Sequence, residues 1–403
     1  MEIQKQEIKN LVLKQMDLSK ELKDEEIFEV IDEILLEKSK NRYISIENKK
    51  RLRREVFNSI RRLDILQELI EDNSITEIMI NGAKDIFIEQ KGRIKYWNKK
   101  FESDKNLHDI VQQIVSKSNR IINESTPIVD ARLEDGSRVN IVLPPVALNG
   151  PIITIRKFPD NPITIDKLIE IHSINREGAE FLERLVKAGY NIFISGGTGS
   201  GKTTFLNVLS NFIPNDERVI TIEDSAELQI KNISNLVRLE ARNSNVEGKN
   251  EVTIRQLIKS ALRMRPDRIV IGEVRDGAAL DMLQAMNSGH DGSLSTGHAN
   301  SARDMLSRLE TLVLMGMELP LMAVRKQICQ ALDIIVHLER LRDKTRKVTE
   351  ISEVLDLDGE NFSVNKLYEF KEEREENNRI IGQLIKTDNQ LINTNKLRKA
   401  GIL

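Results

Sequence analysis

The segment that most constrains this 403-residue chain is a glycine-rich run at residues 196–203. It satisfies the pattern G-x-x-x-x-G-K-[ST] and stands between an apolar run, residues 192–195, and an amphipathic run, residues 202–212. A strand, such a loop and a helix together bind phosphate, because glycines let backbone N–H groups turn inward and the helix presents the positive end of its dipole. The predicted nucleotide-binding residues are Gly196, Gly197, Thr198, Gly199, Ser200, Gly201, Lys202, Thr203 and Thr204.

Two of these residues are predicted to contact particular parts of the ligand. We expect Lys202 to reach the β- and γ-phosphate oxygens of ATP, and we expect the Thr203 hydroxyl to hold Mg²⁺. The sequence therefore predicts a site for ATP and Mg²⁺.

Carboxylates follow two other apolar runs at the point where each run ends. Glu273 follows residues 269–271, and Glu223 and Asp224 follow residues 219–222. Because the carboxyl ends of parallel strands meet at one edge of a sheet, we expect these acids beside the phosphates. Glu273 is predicted to orient or deprotonate the attacking water, or to support the Mg²⁺ shell; Glu223 is the second catalytic candidate. Glu223 and Asp224 are also predicted to bind Mg²⁺, directly or through water, although a turn-forming role for Asp224 stays open.

A histidine follows a third, short predicted strand. His298 comes two residues after Thr296, and it lacks the i, i+4 spacing and the cysteine or carboxylate neighbours of a zinc site. A metal-binding role is therefore disfavoured, and we interpret His298 as a sensor of the γ-phosphate.

Four regions differ in pattern along the chain. Residues 1–60 contain neither proline nor glycine and predict a charged helical extension, either a partner-docking element or a solvated appendage. Short apolar runs and turn signals in residues 61–158 predict an α+β domain, and two prolines in residues 159–165 predict a linker. Alternating helix and strand signals in residues 166–403 predict a mostly parallel α/β sheet around the phosphate loop, followed by a C-terminal subdomain.

Charge, cysteine content and hydropathy exclude several classes of protein. The formal net charge of −2 gives no general attraction to nucleic acid, so no nucleic-acid partner is expected. A single cysteine, Cys329, cannot form an intrachain disulfide, and we interpret it as a core residue. The sequence shows no signal peptide and no apolar run long enough to span a membrane, so we expect a cytoplasmic protein whose membrane association is only indirect.

Beyond the phosphate loop, several longer runs carry a family resemblance. They resemble the ATPases of type II and type IV secretion and pilus assembly, and among these the CpaF-like (Tad pilus) ATPases most. The likeness spans roughly residues 60–403. The runs are SGGTGSGKTT, TIEDSAELQI, ALRMRPDRIVIGEVRD and LQAMNSGHDGSLSTGHANSARDMLSRLETLVLMGMELP, with DGSRVNIVLPPVALNGPIITIRKF ahead of the linker and KLRKAGI at the end.

The resemblance implies a fold and a set of motif roles. It implies a RecA-like P-loop ATPase domain preceded by an α+β N-terminal domain. The Walker A motif then contains Lys202 and Thr203, the acidic box contains Glu223 and Asp224, the Walker B motif contains Glu273 and the histidine box contains His298.

The same resemblance implies an assembly and partners. Family members form hexameric rings, so a homohexamer is expected, peripheral at the cytoplasmic face of the inner membrane and working with pilus or secretion platform proteins there. In those rings, arginines of the N-terminal domain reach the phosphates of the nucleotide. The matching positions are Arg138 and Arg156.

The residues alone leave three other functions open. A RecA-like core can also drive a nucleic-acid translocase, which the near-neutral charge disfavours. A regulatory nucleotide-binding module without turnover is disfavoured by the presence of Lys202, Thr203 and Glu273. A small-molecule kinase needs an acceptor pocket and a lid, for which the sequence gives no feature.

Overall fold

The computed structural model describes residues 2–16, 22–41, 43–90, 92–117, 120–158, 162–242 and 250–403. The chain divides into two compact units, Met1–Asp160 (unit 1) and Asn161–Leu403 (unit 2). The linker predicted at residues 159–165 begins with Pro159, Asp160 and Asn161, and these three residues lie outside the described ranges.

Unit 1 begins with three helices that share a core of their own. Their facing sides carry apolar residues at helical spacing, including Ile27, Ile31 and Val56, which are buried. The Ser45 hydroxyl accepts a hydrogen bond from the backbone N–H of Asn48 and so caps the third helix. The predicted helical N-terminal region is confirmed. Its helices are α1 (Glu2–Gln15), α2 (Asp24–Asn41) and α3 (Ile46–Arg61).

The rest of unit 1 is an antiparallel sheet with two helices packed against its buried face. The strand order is β3-β2-β1-β6-β5-β4, and each neighbouring pair runs antiparallel. Alternate residues point inward, so that Val139 and Ile141 of β5 join the core that Leu107 and Val111 of α5 complete. The elements are α4 (Leu66–Glu71), β1 (Ile75–Asn81), β2 (Asp85–Gln90), β3 (Arg93–Trp97), α5 (Asp104–Lys117), β4 (Ile128–Arg132), β5 (Arg138–Val142) and β6 (Ile152–Arg156).

Unit 2 is built on a mixed nine-stranded sheet. The strands are β7 (Ile192–Gly196), β8 (Arg218–Glu223), β9 (Asn235–Glu240), β10 (Arg268–Ile271), β11 (Leu294–Gly297), β12 (Ile334–Arg340), β13 (Arg346–Val354), β14 (Val364–Glu376) and β15 (Arg379–Lys386). Their order in the sheet is β15-β14-β13-β12-β7-β11-β10-β8-β9; the pairs from β12 to β9 are parallel and those from β15 to β12 are antiparallel. The helices are α6 (Ile165–Glu170), α7 (Arg176–Lys187), α8 (Lys202–Ser210), α9 (Ile254–Ala261), α10 (Ala278–Asn287), α11 (Ala302–Gly316), α12 (Leu321–Ala331) and α13 (Asn395–Lys399).

Helices cover both faces of the parallel part of this sheet. Ile192 and Ile194 of β7 pack into one apolar core with α7 and α8, whereas Phe193 between them packs into a second core with α10, α11 and α12. Strands buried on both faces read as continuous apolar runs, which is why residues 192–195 and 269–271 stood out in the sequence. The predicted α/β fold with its mostly parallel sheet is confirmed.

The described helices contain 18 residues or fewer, and many of their positions are charged. None of the helices within the described ranges is long and apolar enough to cross a membrane.

Cys329 lies on α12 and is half-buried against the second core. Burial raises the pKa of its thiol to about 11. Its surroundings fit the predicted packing role, although part of its surface remains exposed.

Candidate nucleotide-binding site

The glycine-rich loop connects the end of β7 to the start of α8, which begins at Lys202. Gly199 and Gly201 adopt φ angles of 72° and 97°, a region that residues with a side chain rarely enter. At Gly196, a Cβ atom would stand 2.2 Å from the carbonyl oxygen of Leu338. Glycine is therefore favoured at these three positions, and the backbone cradle for phosphate stays a prediction from the sequence.

Lys202 is buried at the base of this loop. Its Nζ donates hydrogen bonds to the carbonyl oxygens of Gly196 (3.0 Å) and Gly197 (2.9 Å). Burial lowers the pKa of Lys202, and the charge of Glu273 offsets part of that effect. The loop thus holds a positive charge at the place where phosphate oxygens are expected.

His298 lies between Lys202 and Glu273. Its Nδ1 is 3.2 Å from Lys202 Nζ, and its Nε2 is 2.8 Å from Glu273 Oε1. Because an ammonium group can only donate, Nδ1 must accept and Nε2 carries the proton. Burial and the charge of Lys202 lower the pKa of His298, so its imidazole is neutral at pH 7. The structure therefore brings together three predicted site residues, from the loop and from the ends of β10 and β11.

Arg275 joins this cluster, although the sequence analysis gave it no role. Its Nη2 donates to Glu273 Oε2 at 2.7 Å, and its Nη1 lies 3.7 Å from Asp224 Oδ2. Burial alone would raise the pKa of Glu273, but the Arg275 hydrogen bond and charge lower it below its ordinary value. Glu273 is consequently a carboxylate at neutral pH. A cation two residues after a strand-end acid was the available sequence signal.

Glu223 is buried and points toward the backbone that follows β8. Its Oε1 accepts hydrogen bonds from the N–H groups of Glu227 (2.8 Å) and Leu228 (2.9 Å), and burial raises the pKa of its carboxyl group. Among the described residues, none hydrogen-bonds its buried Oε2. Glu223 thus holds the segment after β8, while its catalytic and metal-binding roles stay predictions.

The oxygen donors near the loop suit Mg²⁺, which favours one or two carboxylates together with phosphate oxygens and water. Thr203 lies in the first turn of α8, Asp224 is exposed at the end of β8, and Glu223 has the unpartnered buried oxygen. The described residues contain no group of three or more histidine, cysteine or acidic side chains that could hold a metal ion by themselves. Thr203, Asp224 and Glu223 stay the residues predicted to hold Mg²⁺ beside a bound nucleotide.

A buried histidine that the sequence analysis missed supports the same loops. His337 of β12 places its Nδ1 2.6 Å from the hydroxyl oxygen of Ser195, the residue before Gly196. Burial lowers the pKa of His337, and the nearby backbone of Asn300, two residues after His298, offsets part of this effect. His337 therefore connects the phosphate-loop strand to the His298 segment.

Comparison with known proteins places the chain in a family. The family model described as "Type II/IV secretion system protein" matches residues 60–396. The chain belongs to the type II/IV secretion system protein family. A putative conjugal transfer protein of Mycobacterium tuberculosis is 32% identical over 301 residues, covering 73% of this chain and 85% of that protein. The type IV secretion system protein VirB11 of Brucella suis is 32% identical over 321 residues, covering 72% of this chain and 88% of VirB11.

Solved structures similar to this secretion-family protein support the fold. The Legionella pneumophila ATPase DotB matches with a TM-score of 0.51 and 20% identity, over 72% of this chain and 79% of DotB. The pilus retraction motor PilT with bound ADP matches with a TM-score of 0.51 and 17% identity, over 84% of this chain and 87% of PilT.

The two arginines predicted to contact phosphate lie in unit 1 of this secretion-family protein. Arg138 of β5 stands directly opposite Arg156 of β6 in the antiparallel pair, so their side chains share one face of the sheet. Arg156 also stands opposite Glu77 of β1. Their contact with nucleotide phosphates stays a prediction from the resemblance.

Proposed function

We propose that this secretion-family protein is an ATP-hydrolysing motor. The observation that carries this proposal is the cluster of Lys202, neutral His298 and charged Glu273 at the phosphate loop. A cation for phosphate oxygens and a carboxylate beside it are the groups that phosphoryl transfer to water requires.

Each side chain has a distinct part in the proposed reaction. The loop backbone and Lys202 bind the phosphate chain, and Glu273 orients or deprotonates the attacking water. His298, in contact with both Lys202 and Glu273, senses the γ-phosphate. Bound Mg²⁺ supplies positive charge that neutralises phosphate oxygens.

We propose that the motor is a homohexameric ring that powers a Tad-type pilus or a type II or type IV secretion machine. Two relatives at 32% identity bear names of conjugal transfer and type IV secretion, which supports a machine of this general class. The CpaF-like subtype rests on the sequence resemblance alone. In this proposal the ring works at the cytoplasmic face of the inner membrane, through platform proteins.

Phosphate release from ATP tests the proposed activity. We expect Mg²⁺-dependent release whose specific activity rises with protein concentration, as a ring that assembles from subunits requires. Lys202→Ala should lower turnover about a hundredfold or more, because it removes the charge at the phosphates. Release that is equal in wild type and Lys202→Ala would refute the proposal.

Added DNA separates the motor from a nucleic-acid translocase. We include DNA because one relative is named as a putative conjugal transfer protein. The net charge of −2 gives no general attraction to DNA and so favours a motor that acts on proteins. We expect the same turnover with and without DNA, and strong stimulation by DNA would favour the translocase.

A further inference from the structure

Two arginines stand beside the phosphate loop on the hairpin between β12 and β13. Arg340 ends β12 and Arg346 begins β13, and the two residues are directly opposite each other in the antiparallel pair. Both side chains are exposed. None of the predictions made from the sequence used this hairpin.

Both side chains reach the loop itself. Arg346 Nε donates a hydrogen bond to the carbonyl oxygen of Gly199 at 2.8 Å. A Cβ atom on Gly201 would lie 3.3 Å from Arg346 Cδ, and one on Gly199 would lie 3.8 Å from Arg340 Nη1. The two guanidinium groups therefore flank the part of the loop that is expected to surround phosphate.

The charge of this pair is not balanced within the described part of the chain. There, no carboxylate forms an ion pair with Arg340 or Arg346, whereas Arg342 of the same hairpin pairs with Glu372 and Glu375. Like charges directly opposite in a sheet destabilise it, unless an anion lies between them. The pair thus has a reason to bind an anion.

The hairpin has other contacts that fix its shape. Asp343 accepts hydrogen bonds from the backbone N–H of Thr345 (2.9 Å) and of Ile380 (2.9 Å). Because these contacts do not involve Arg340 or Arg346, neither arginine is needed for the turn itself.

We propose that Arg340 and Arg346 form a second anion-binding element of the nucleotide site and contact the phosphate chain of bound ATP. The inference rests on the proposed nucleotide-binding function and adds two binding residues to it. A guanidinium has five N–H donors, so Arg346 retains donors for phosphate while its Nε–H remains on Gly199. Arginine also suits phosphate because its planar fork forms two parallel hydrogen bonds.

Equilibrium titration of a fluorescent ATP analogue tests this proposal. The variants are the double substitution Arg340→Ala with Arg346→Ala, and Arg342→Ala as the matched control on the same hairpin. We expect the double variant to raise Kd by about tenfold or more, since it removes charge-assisted hydrogen bonds to phosphate. The control should stay within about twofold of wild type, because exposed ion pairs contribute little.

Two further readouts separate binding from folding. The thermal midpoint without nucleotide should be the same in the double variant and wild type. The Kd of wild type should rise more steeply with added NaCl than that of the double variant, because screening acts on charges that the variant lacks.

The outcomes distinguish this inference from the proposed function. An unchanged Kd in the double variant, with wild type binding ATP normally, would overturn the arginine pair alone. An equal loss in the Arg342→Ala control, or a lower thermal midpoint in the double variant that accounts for the loss, would also overturn it. If wild type did not bind the analogue at all, the proposed function would fail first.

Discussion

At the scale of single residues, three neighbouring ionisable side chains of the site differ in charge. Lys202 keeps its positive charge despite a lowered pKa, Glu273 is a carboxylate held by Arg275, and His298 between them is neutral. In its neutral form the imidazole accepts from Lys202 at Nδ1, and its Nε2 lies 2.8 Å from Glu273 Oε1. Protonation of His298 would remove the acceptor and add a cation next to Lys202.

The first prediction concerns the pH dependence of hydrolysis. The pKa of His298 is lowered from 6.5 and that of Glu273 from 4.5, whereas burial raises the pKa of Glu223 above 4.5, so His298 and Glu223 are the site residues expected to gain a proton first as the pH falls. We expect kcat to be constant above about pH 7 and to fall as acid protonates the imidazole. Steady-state phosphate release from about pH 5 to about pH 8 measures this fall.

His298→Gln is the control for that profile. Glutamine is neutral over the whole pH range, so we expect a lower but flatter rate in the variant. If kcat fell at the same pH in the variant and in wild type, a group other than His298 would control the fall in acid.

At the scale of elements, the segment between β8 and β9 depends on side chains for its backbone hydrogen bonds. Glu223 accepts from the N–H groups of Glu227 and Leu228, and Asn207 of α8 accepts from the N–H of Gln229 at 2.7 Å. The phosphate-loop helix and the end of β8 thus hold one connecting segment together. This gives Glu223 a structural role next to its predicted chemical one.

The second prediction tests that structural role by hydrogen exchange. Glu223→Ala removes the acceptor for two amides, so we expect protection of the amides of Glu227 and Leu228 to fall about tenfold or more. Asp224→Ala is the matched control, because Asp224 is exposed and accepts from neither amide. Unchanged protection in Glu223→Ala would refute the anchoring role.

Local sequence patterns were sufficient to predict the strand, loop and helix at residues 192–210. They predicted the positions at which elements end less well. The helix predicted from residues 202–212 ends at Ser210, and β14 continues through a charged segment to Glu376. Residues 371–376 are charged and do not resemble a strand, yet all of them except Glu373 pair with residues of β15. Cross-strand pairing determines that part of β14, and no local signal reports it.

Contacts between residues distant in sequence explain what was missed in the site. Ser195 and His337 are 142 positions apart, and Gly199 and Arg346 are 147 apart. Only the order of the strands, with β12 next to β7, brings these residues together. The acids at strand ends were predictable because parallel strands end at one edge, which is a rule of topology rather than of local sequence.

At the scale of the whole molecule, the two units contribute different groups to the proposed activity. Unit 2 contains the phosphate loop, Glu273 and His298, and unit 1 contains Arg138 and Arg156. The family resemblance predicts that these arginines contact phosphates. The chain would then need both units for full turnover.

The third prediction tests the contribution of unit 1 to ATP turnover. The double substitution Arg138→Ala with Arg156→Ala should lower kcat at least about tenfold, because it removes two charge-assisted contacts to phosphate. Arg93→Ala, an exposed arginine of β3 in the same unit, is the matched control and should keep wild-type turnover. The single tryptophan, Trp97, lies in unit 1, so its fluorescence checks that the variants remain folded.

Wild-type kinetics in the Arg138→Ala, Arg156→Ala protein would refute the predicted contact of both arginines with the phosphates. A loss of turnover accompanied by an altered Trp97 signal would assign the loss to folding instead.

The measurement that tests the central claim most directly compares binding and hydrolysis in Glu273→Gln. The substitution keeps the size of the side chain and removes the carboxylate that accepts from Arg275 and lies beside His298. We expect ATP to bind with a Kd near that of wild type, while phosphate release slows about a hundredfold or more. Normal hydrolysis in Glu273→Gln would contradict the assignment of Glu273 and make Glu223 the remaining candidate.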